Sequence, residues 1–403
     1  MLPYRLLVTI FALGVLARLV LKRDWQALQQ RLARGPAEPG PHLWLHAASN
    51  GELASIRPVI DALRAARPDL PLLVTCNSTT GVALAERWGL PARLAPLDLW
   101  WVARRMHRDW DVRAHLTMES ELWPHRTLAC PGPVFIMGGR LSEGTARGWR
   151  VLGGLHRRQL QRIAFVSAQD AGSATRYREA GLPDAAAGPV VDLKALYAAD
   201  PRHDAALEAV FDRARTWLAA STHKGEEEQV LAAHKLAREA EPGLRLILAP
   251  RHPRRGDEVE ALIRDSGLDC ARRSRGEPPA GADVYLADTM GEMPLFYGLA
   301  GRVFIGGTLT DRGGHTPYEP AAYGAALLRG PDVAKHRPGF DRLEAANAAL
   351  TVADAEALAA GLNALSDPEK QSAMGTAAQA ALRPQADARE LVAAITQRLD
   401  AAP

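Results

Sequence analysis

Residues 43–76 read LWLHAASNGELASIRPVIDALRAARPDLPLLVTC, and their pattern decides the fold class. Leu43–Ala48 is a short apolar run, and Leu72–Cys76 is a second. Between them Leu53, Ile56, Val59, Ile60 and Leu63 recur at the spacing of one helix face. A strand, a covering helix and a second strand form the unit from which parallel sheets with both faces covered are built. The same rhythm continues outward. Ala114–Met118, Val134–Met137 and Ile163–Ser167 read as further strands of this series. After a break a second series follows, with Trp217–Ala220, Leu244–Ala249, Val284–Ala287 and Val303–Ile305. Each expected strand runs into a loop of small or charged residues, such as Ser49-Asn50-Gly51-Glu52, Glu119-Ser120-Glu121, Ser221-Thr222-His223 and Gly306-Gly307. In open α/β sheets ligands bind at the carboxyl edge. The expectation is therefore an α/β protein with two Rossmann-like domains whose polar edges face across a cleft, one substrate on each side.

Length agrees, since 403 residues exceed one core and suit two. The expected boundaries are an anchor and linker over 1–34, a first domain over 35–200, a second over 201–385 and a C-terminal helix over 386–403. The connection falls between Gly188 and Arg215, where the rhythm is lost and Pro189 and Pro201 occur. Cys76, Cys130 and Cys270 lie far apart, which argues for packing roles in a reducing compartment. Residues 1–200 carry 25 Lys/Arg against 17 Asp/Glu, while the whole chain nets only +3. A basic first half either meets an anionic partner or has a scattered surface imbalance. The run from Leu6 to Leu21 is almost wholly apolar, flanked by Arg5, Lys22, Arg23 and Trp25. It reads as a retained membrane anchor, with a buried first helix as the competing possibility.

The loops suggest a chemistry. Gly306-Gly307 and Gly313-Gly314 let backbone approach a ligand, and the helix start after Pro317 offers N–H groups to a phosphate. Ser221, Thr222 and Arg251 supply hydroxyl and guanidinium donors of the kind a phosphate needs, and Glu319 suits ribose hydroxyls. Glu52 is the base candidate, at a helix start where the dipole favours its charged form. Asp109-Trp110-Asp111 resembles a DxD metal motif but lies at a helix-to-strand transition, and the twelve histidines show no ligand spacing. No metal and no cofactor are expected. The departing phosphate must then be stabilised by cationic side chains and helix N-termini.

These blocks, in order, resemble the bacterial 3-deoxy-D-manno-octulosonic acid (Kdo) transferases of lipopolysaccharide assembly. The resemblance rests on Trp44-Leu45-His46-Ala47 leading into Ser49-Asn50-Gly51-Glu52, on Glu119-Ser120-Glu121-Leu122-Trp123-Pro124, and on Ser221-Thr222-His223-Lys224-Gly225-Glu226. Pro250-Arg251-His252-Pro253, Asp288-Thr289-Met290-Gly291-Glu292 and Gly313-Gly314-His315-Thr316-Pro317-Tyr318-Glu319-Pro320 complete it. It implies a GT-B fold at the cytoplasmic face of the inner membrane, CMP-Kdo as donor and an anionic glycolipid, the lipid A precursor, as acceptor, with no nucleic acid partner. Glu52 falls on the family's catalytic base. Arg251, Met290 and Glu319 fall on expected CMP contacts, with Ser221, Thr222, Gly291, Gly307 and Thr316 nearby. Ser49, Asn50, Gly51, Glu119, Arg104 and Arg105 become acceptor-side candidates. Asn50 stands where Val is usual and Thr316 where Asn is usual, which leaves room for a paralogue with another acceptor. Another nucleotide-sugar donor, a GT-B-type nucleotide-sugar isomerase and a non-catalytic lipid-binding relative also stay open.

Overall fold

A computed structural model describes residues 2–151 and 154–401, without the side chains of Arg150 and Val151. The chain forms two compact units, one running to Leu196 and resumed from Pro384, the other spanning Tyr197–Arg383. The division at Leu196/Tyr197 lies inside the stretch expected to connect the domains. The helix Ala388–Asp400, expected as a separate segment, belongs to the first unit. Its Leu391, Val392 and Ile395 are buried in the same core as Leu43, Val59, Ile60 and Leu63.

Among the described residues the first unit holds one six-stranded parallel sheet. Its strands are β1 (His42–His46), β2 (Leu72–Cys76), β3 (Ala92–Leu94), β4 (Val112–Met118), β5 (Val134–Gly139) and β6 (Ile163–Ala168), in the order β3-β2-β1-β4-β5-β6. β1 and β2 are buried along their whole length, as a sheet covered on both faces requires. The helical segment between them carries the expected apolar face, with Leu53, Ile56, Val59, Ile60 and Leu63 all buried. It is two helices, Asn50–Ser55 and Arg57–Ala66, because Pro58 has no N–H to donate and its ring crowds the carbonyl four residues earlier.

The second unit holds a seven-stranded parallel sheet among the described residues. Its strands are β7 (Thr216–Thr222), β8 (Arg245–Pro250), β9 (Cys270–Arg272), β10 (Val284–Leu286), β11 (Arg302–Ile305), β12 (Ala326–Arg329) and β13 (Ala349–Thr351), in the order β13-β12-β11-β7-β8-β10-β9. In each sheet the first strand sits beside a strand reached by crossing back over it, β1 next to β4 and β7 next to β11. Such switch points open a crevice at the carboxyl edge. The loops after these four strands are Ala47–Ser49, Glu119–Trp123, the turn at His223 and Gly306–Leu309.

The N-terminal helix Leu2–Leu21 is long and apolar enough to cross a membrane. One stripe, through Tyr4, Val8 and Ala12, packs on the first unit, and the Tyr4 hydroxyl donates to buried Asp98 at 2.5 Å. Leu2, Leu6, Leu7, Ile10, Phe11 and Leu13 point outward, all more than half exposed.

Candidate active site

At the first unit's switch point three carboxyl groups gather. Ser49 caps the helix Asn50–Ser55, its hydroxyl oxygen accepting the Glu52 N–H. The Glu52 side chain turns back, accepting from the Ala48 N–H at 2.9 Å and the Ser49 hydroxyl at 3.1 Å. This is a variant of the capping box, reaching one residue further than usual. The carboxyl is thereby fixed in orientation. Its pKa is nonetheless raised, first by burial, against the lowering effect of the Ala48 N–H, and further by the charges of Glu119 and Glu121. That corrects the expectation that the helix start stabilises its charge.

Glu119 follows β4 with a φ of +48°, a left-handed conformation that is strained for a residue with a Cβ. Burial is the largest influence on its carboxyl and pushes its pKa up, opposed by the nearby Lys194 and Arg140 charges. Glu121 behaves oppositely. Burial opposes its charge, but hydrogen bonds from His46 and Trp123 and the Arg126 charge outweigh burial and hold it at about 2. One site thus holds a permanently charged carboxylate beside two whose protons are held more tightly, a separation that assigns acid–base roles. Asn50 and Gly51 are exposed on the same loop, and the Asn50 amide oxygen accepts from the Thr80 hydroxyl.

The arginines expected nearby lie elsewhere. The helix Trp100–Asp109 carries Arg104 into a groove of about 690 Å³ at the opposite, amino-terminal edge of the sheet, with Pro41, Val112 and Pro133. Arg105 packs over Trp101 and donates to the Leu32 carbonyl. Neither stands with Glu52. Asp109 pairs with Arg108 and Asp111 with Arg113.

In the second unit the turn after β11 is built around a buried anion. The Glu226 carboxylate accepts from the N–H groups of Gly307 (2.7 Å), Thr308 (3.0 Å), Leu309 (3.0 Å) and His223 (2.9 Å). The Gly307 N–H is therefore engaged within the protein. Gly306 approaches the backbone of β7 so closely that a Cβ would lie 2.5 Å from the Ser221 carbonyl oxygen. Ser221 itself is bulged, with a φ of +59°. Thr222 is likewise engaged, since it is buried and its hydroxyl donates to Glu227, which is paired with Arg255.

What remains at this edge is cationic. His223 and His315 face each other with Nε2 atoms 2.9 Å apart and rings coplanar to 3°, both against Gly307. Burial, then Arg312, His252, Arg251 and Arg255, lowers His223 to about 4. Burial, then His223, Arg251, His336 and Lys335, lowers His315 to about 3. At neutral pH both rings are neutral, one N–H donating to the other. So dense a positive surround suits a phosphate, which offsets it. The exposed Arg251 side chain approaches half-buried Glu319 closely enough to oppose the rise in pKa that burial causes there. Thr316 is half-buried, its hydroxyl accepting weakly from the Tyr318 N–H. Met290 is 76% exposed, on a loop braced by Arg273 pairing Glu292 and by Arg202 donating to the Gly291 carbonyl. The histidine pair, Glu226 and His46 were not singled out from sequence, because the histidines were weighed only for metal-ligand spacing.

Two doubly wound units with their polar loops at the switch points define the GT-B class of glycosyltransferases. The fold is shared by UDP-GlcNAc 2-epimerase from Neisseria meningitidis (TM-score 0.60, 13% identity, 90% of this chain and 100% of that one). A glycosyltransferase from Rickettsia africae is similar (TM-score 0.58, 10% identity, 90% and 99%). Sequence narrows the class: the chain belongs to the 3-deoxy-D-manno-octulosonic-acid transferase family. That family's model matches residues 26–196. The Bordetella pertussis 3-deoxy-D-manno-octulosonic acid transferase is 34% identical over 368 residues, covering 86% of this chain and 85% of the relative. The Haemophilus influenzae transferase is 31% identical, covering 76% and 73%.

Proposed function

We propose that this chain transfers Kdo from CMP-Kdo to an acylated, phosphorylated glucosamine disaccharide, with inversion at the anomeric carbon. Family membership across most of the chain is the observation that carries the reading. In the reaction the bond from the anomeric carbon to the CMP phosphate oxygen breaks and its electron pair leaves with CMP. The acceptor hydroxyl forms the new bond and gives its proton to Glu52. A base with a raised pKa suits that step. Arg251, Arg312 and the His223–His315 pair hold the donor phosphate, Glu319 accepts from the ribose hydroxyls, and Met290 covers the base. The acceptor is met at the cytoplasmic face of the inner membrane. The exposed apolar face of the helix Leu2–Leu21, with Lys22, Arg23 and Trp25 after it, supports that location.

The test is the full chain in detergent with CMP-Kdo and a panel of other nucleotide sugars, against acceptors differing in phosphorylation and acylation. The expected product gains the mass of Kdo and releases CMP. Transfer only from another donor, or donor turnover without acceptor, overturns the reading.

A further inference from the structure

Inside the first sheet, one residue behind the Glu52 loop, runs a buried chain of polar side chains. Trp44 and His46 point to the same side of β1, and Thr75 lies opposite on β2. The Trp44 indole N–H donates to the Thr75 hydroxyl oxygen at 2.8 Å. The His46 Nδ1 lies 3.0 Å from that hydroxyl and 3.0 Å from the Thr75 carbonyl oxygen. The His46 Nε2 lies 3.2 Å from the Glu121 carboxylate, on the oxygen that also accepts from the Trp123 indole at 2.7 Å.

These contacts select one arrangement of protons. His46 is fully buried, and burial together with the Arg126 charge keeps it neutral, outweighing the attraction of Glu121. A neutral ring carries one N–H. Were it on Nδ1, a bare Nε2 lone pair would face a charged carboxylate. The Thr75 carbonyl already accepts from the Ala47 N–H, and the Thr75 hydroxyl, receiving the Trp44 N–H, has its own proton to give to Nδ1. The proton therefore sits on Nε2. The groups facing His46 are Glu121 and Arg126, with His115 on the neighbouring strand. Those facing Glu121 are His46, Trp123 and Arg126, with Glu52 and Glu119 beside it.

We propose that His46 is a positioning residue for the transfer: held in the Nε2–H tautomer by Thr75, it fixes the orientation of the Glu121 carboxylate beside Glu52. It touches no substrate and acts through Glu121. Two N–H groups on one Glu121 oxygen orient the carboxylate. The inference rests on Glu52 being the base, and the tests keep the two apart.

In the ¹⁵N spectrum of histidine-labelled full-length protein, the resonances lost in His46→Phe are those of His46. They should report a protonated Nε2 and a bare Nδ1 at neutral pH. In transfer assays His46→Phe should lower kcat on the order of 10²-fold, the scale of a displaced catalytic group, with KM for CMP-Kdo unchanged. Its acidic limb of kcat/KM should move to higher pH, because Glu121 loses a donor and protonates there. His46→Gln, whose amide N–H reaches toward Glu121, should recover most of the rate. A wild-type rate and pH profile in His46→Phe, a Gln variant as impaired as Phe though equally folded, or an Nδ1–H or doubly protonated His46 each overturns the proposal. If His46→Phe fails to fold, the Gln profile and the resonances assigned with that variant still decide. Glu52→Gln in the same assay reads the base assignment by itself: retained transfer removes Glu52 as base, whatever His46 shows.

Discussion

Glu52 begins a helix, and that position pulls its carboxyl two ways. The dipole and the Ala48 N–H favour charge, while burial, Glu119 and Glu121 oppose it, and the opposing side wins. Glu52 was legible in the sequence as the base candidate because a Glu at a strand-to-helix turn stands out. The sign of its shift was not, since Glu119 and Glu121 meet it only through the pairing of β1 with β4. Glu52→Ala should abolish transfer, a loss of about 10²–10⁴-fold, and leave CMP affinity unchanged by calorimetry. In the wild type the acidic limb of kcat/KM should fall above the usual carboxylate range, activity being lost as pH drops through the raised pKa. The same shift affects stability. A carboxyl with a raised folded pKa stabilises the fold below its unfolded pKa, and that contribution is lost as pH rises through the folded value. Glu52→Gln should therefore melt above wild type at pH 8, with the gap closing toward pH 4. On the donor side Arg251→Ala should weaken CMP binding by about 1.5–3 kcal/mol, the scale of a hydrogen bond to a charged group, read by the same calorimetry.

The turn Gly306–Leu309 shows how an element can be recognised for the wrong reason. Its glycines were read as letting backbone approach a ligand, and the close approach at Gly306 is that of β7. The occupant of its N–H groups is Glu226, 81 residues from Gly307 in the chain, and no local pattern announces such a pairing. Glu226→Ala would leave four N–H groups unsatisfied. It should cost about 3 kcal/mol or more in urea unfolding and weaken CMP binding, because the His223–His315 pair rests on this turn. The strands divide in the same way. Long apolar runs such as Leu72–Cys76 were read correctly, whereas β3, β9, β12 and β13, each three or four residues long, were missed. Short edge strands such as Ala92–Leu94 and Cys270–Arg272 carry an arginine and too few residues to show a period. Arg104 was legible as a basic candidate, but which sheet edge it reaches depends on the direction of the helix Trp100–Asp109 across the sheet.

At the scale of the molecule, the helix Leu2–Leu21 is more than a tether, because Tyr4 reaches Asp98, which also accepts from the His125 and Arg126 N–H groups. Deleting residues 2–21 should move the protein toward the soluble fraction while lowering its melting temperature. Tyr4→Phe in the full chain should cost about 1–3 kcal/mol by itself. Unaltered melting in both would show that the helix contributes nothing to the first unit. Positive charge around the His223–His315 pair comes from Arg251, Arg312 and Arg255, and Asp109 and Asp111 are tied to arginines. The transfer rate should accordingly survive exhaustive chelation with EDTA, and a rate restored only by a divalent ion would contradict this. The return of the chain to its first unit bears on the order of synthesis. Residues 197–383 leave the ribosome as one uninterrupted stretch and can close their core at once. The earlier unit must wait, because Leu391, Val392 and Ile395 complete its packing and are made only after residues 197–383. Its Leu2–Leu21 helix, by contrast, is made before the second unit. During translation the second unit's core can thus form while the first unit's core is still open.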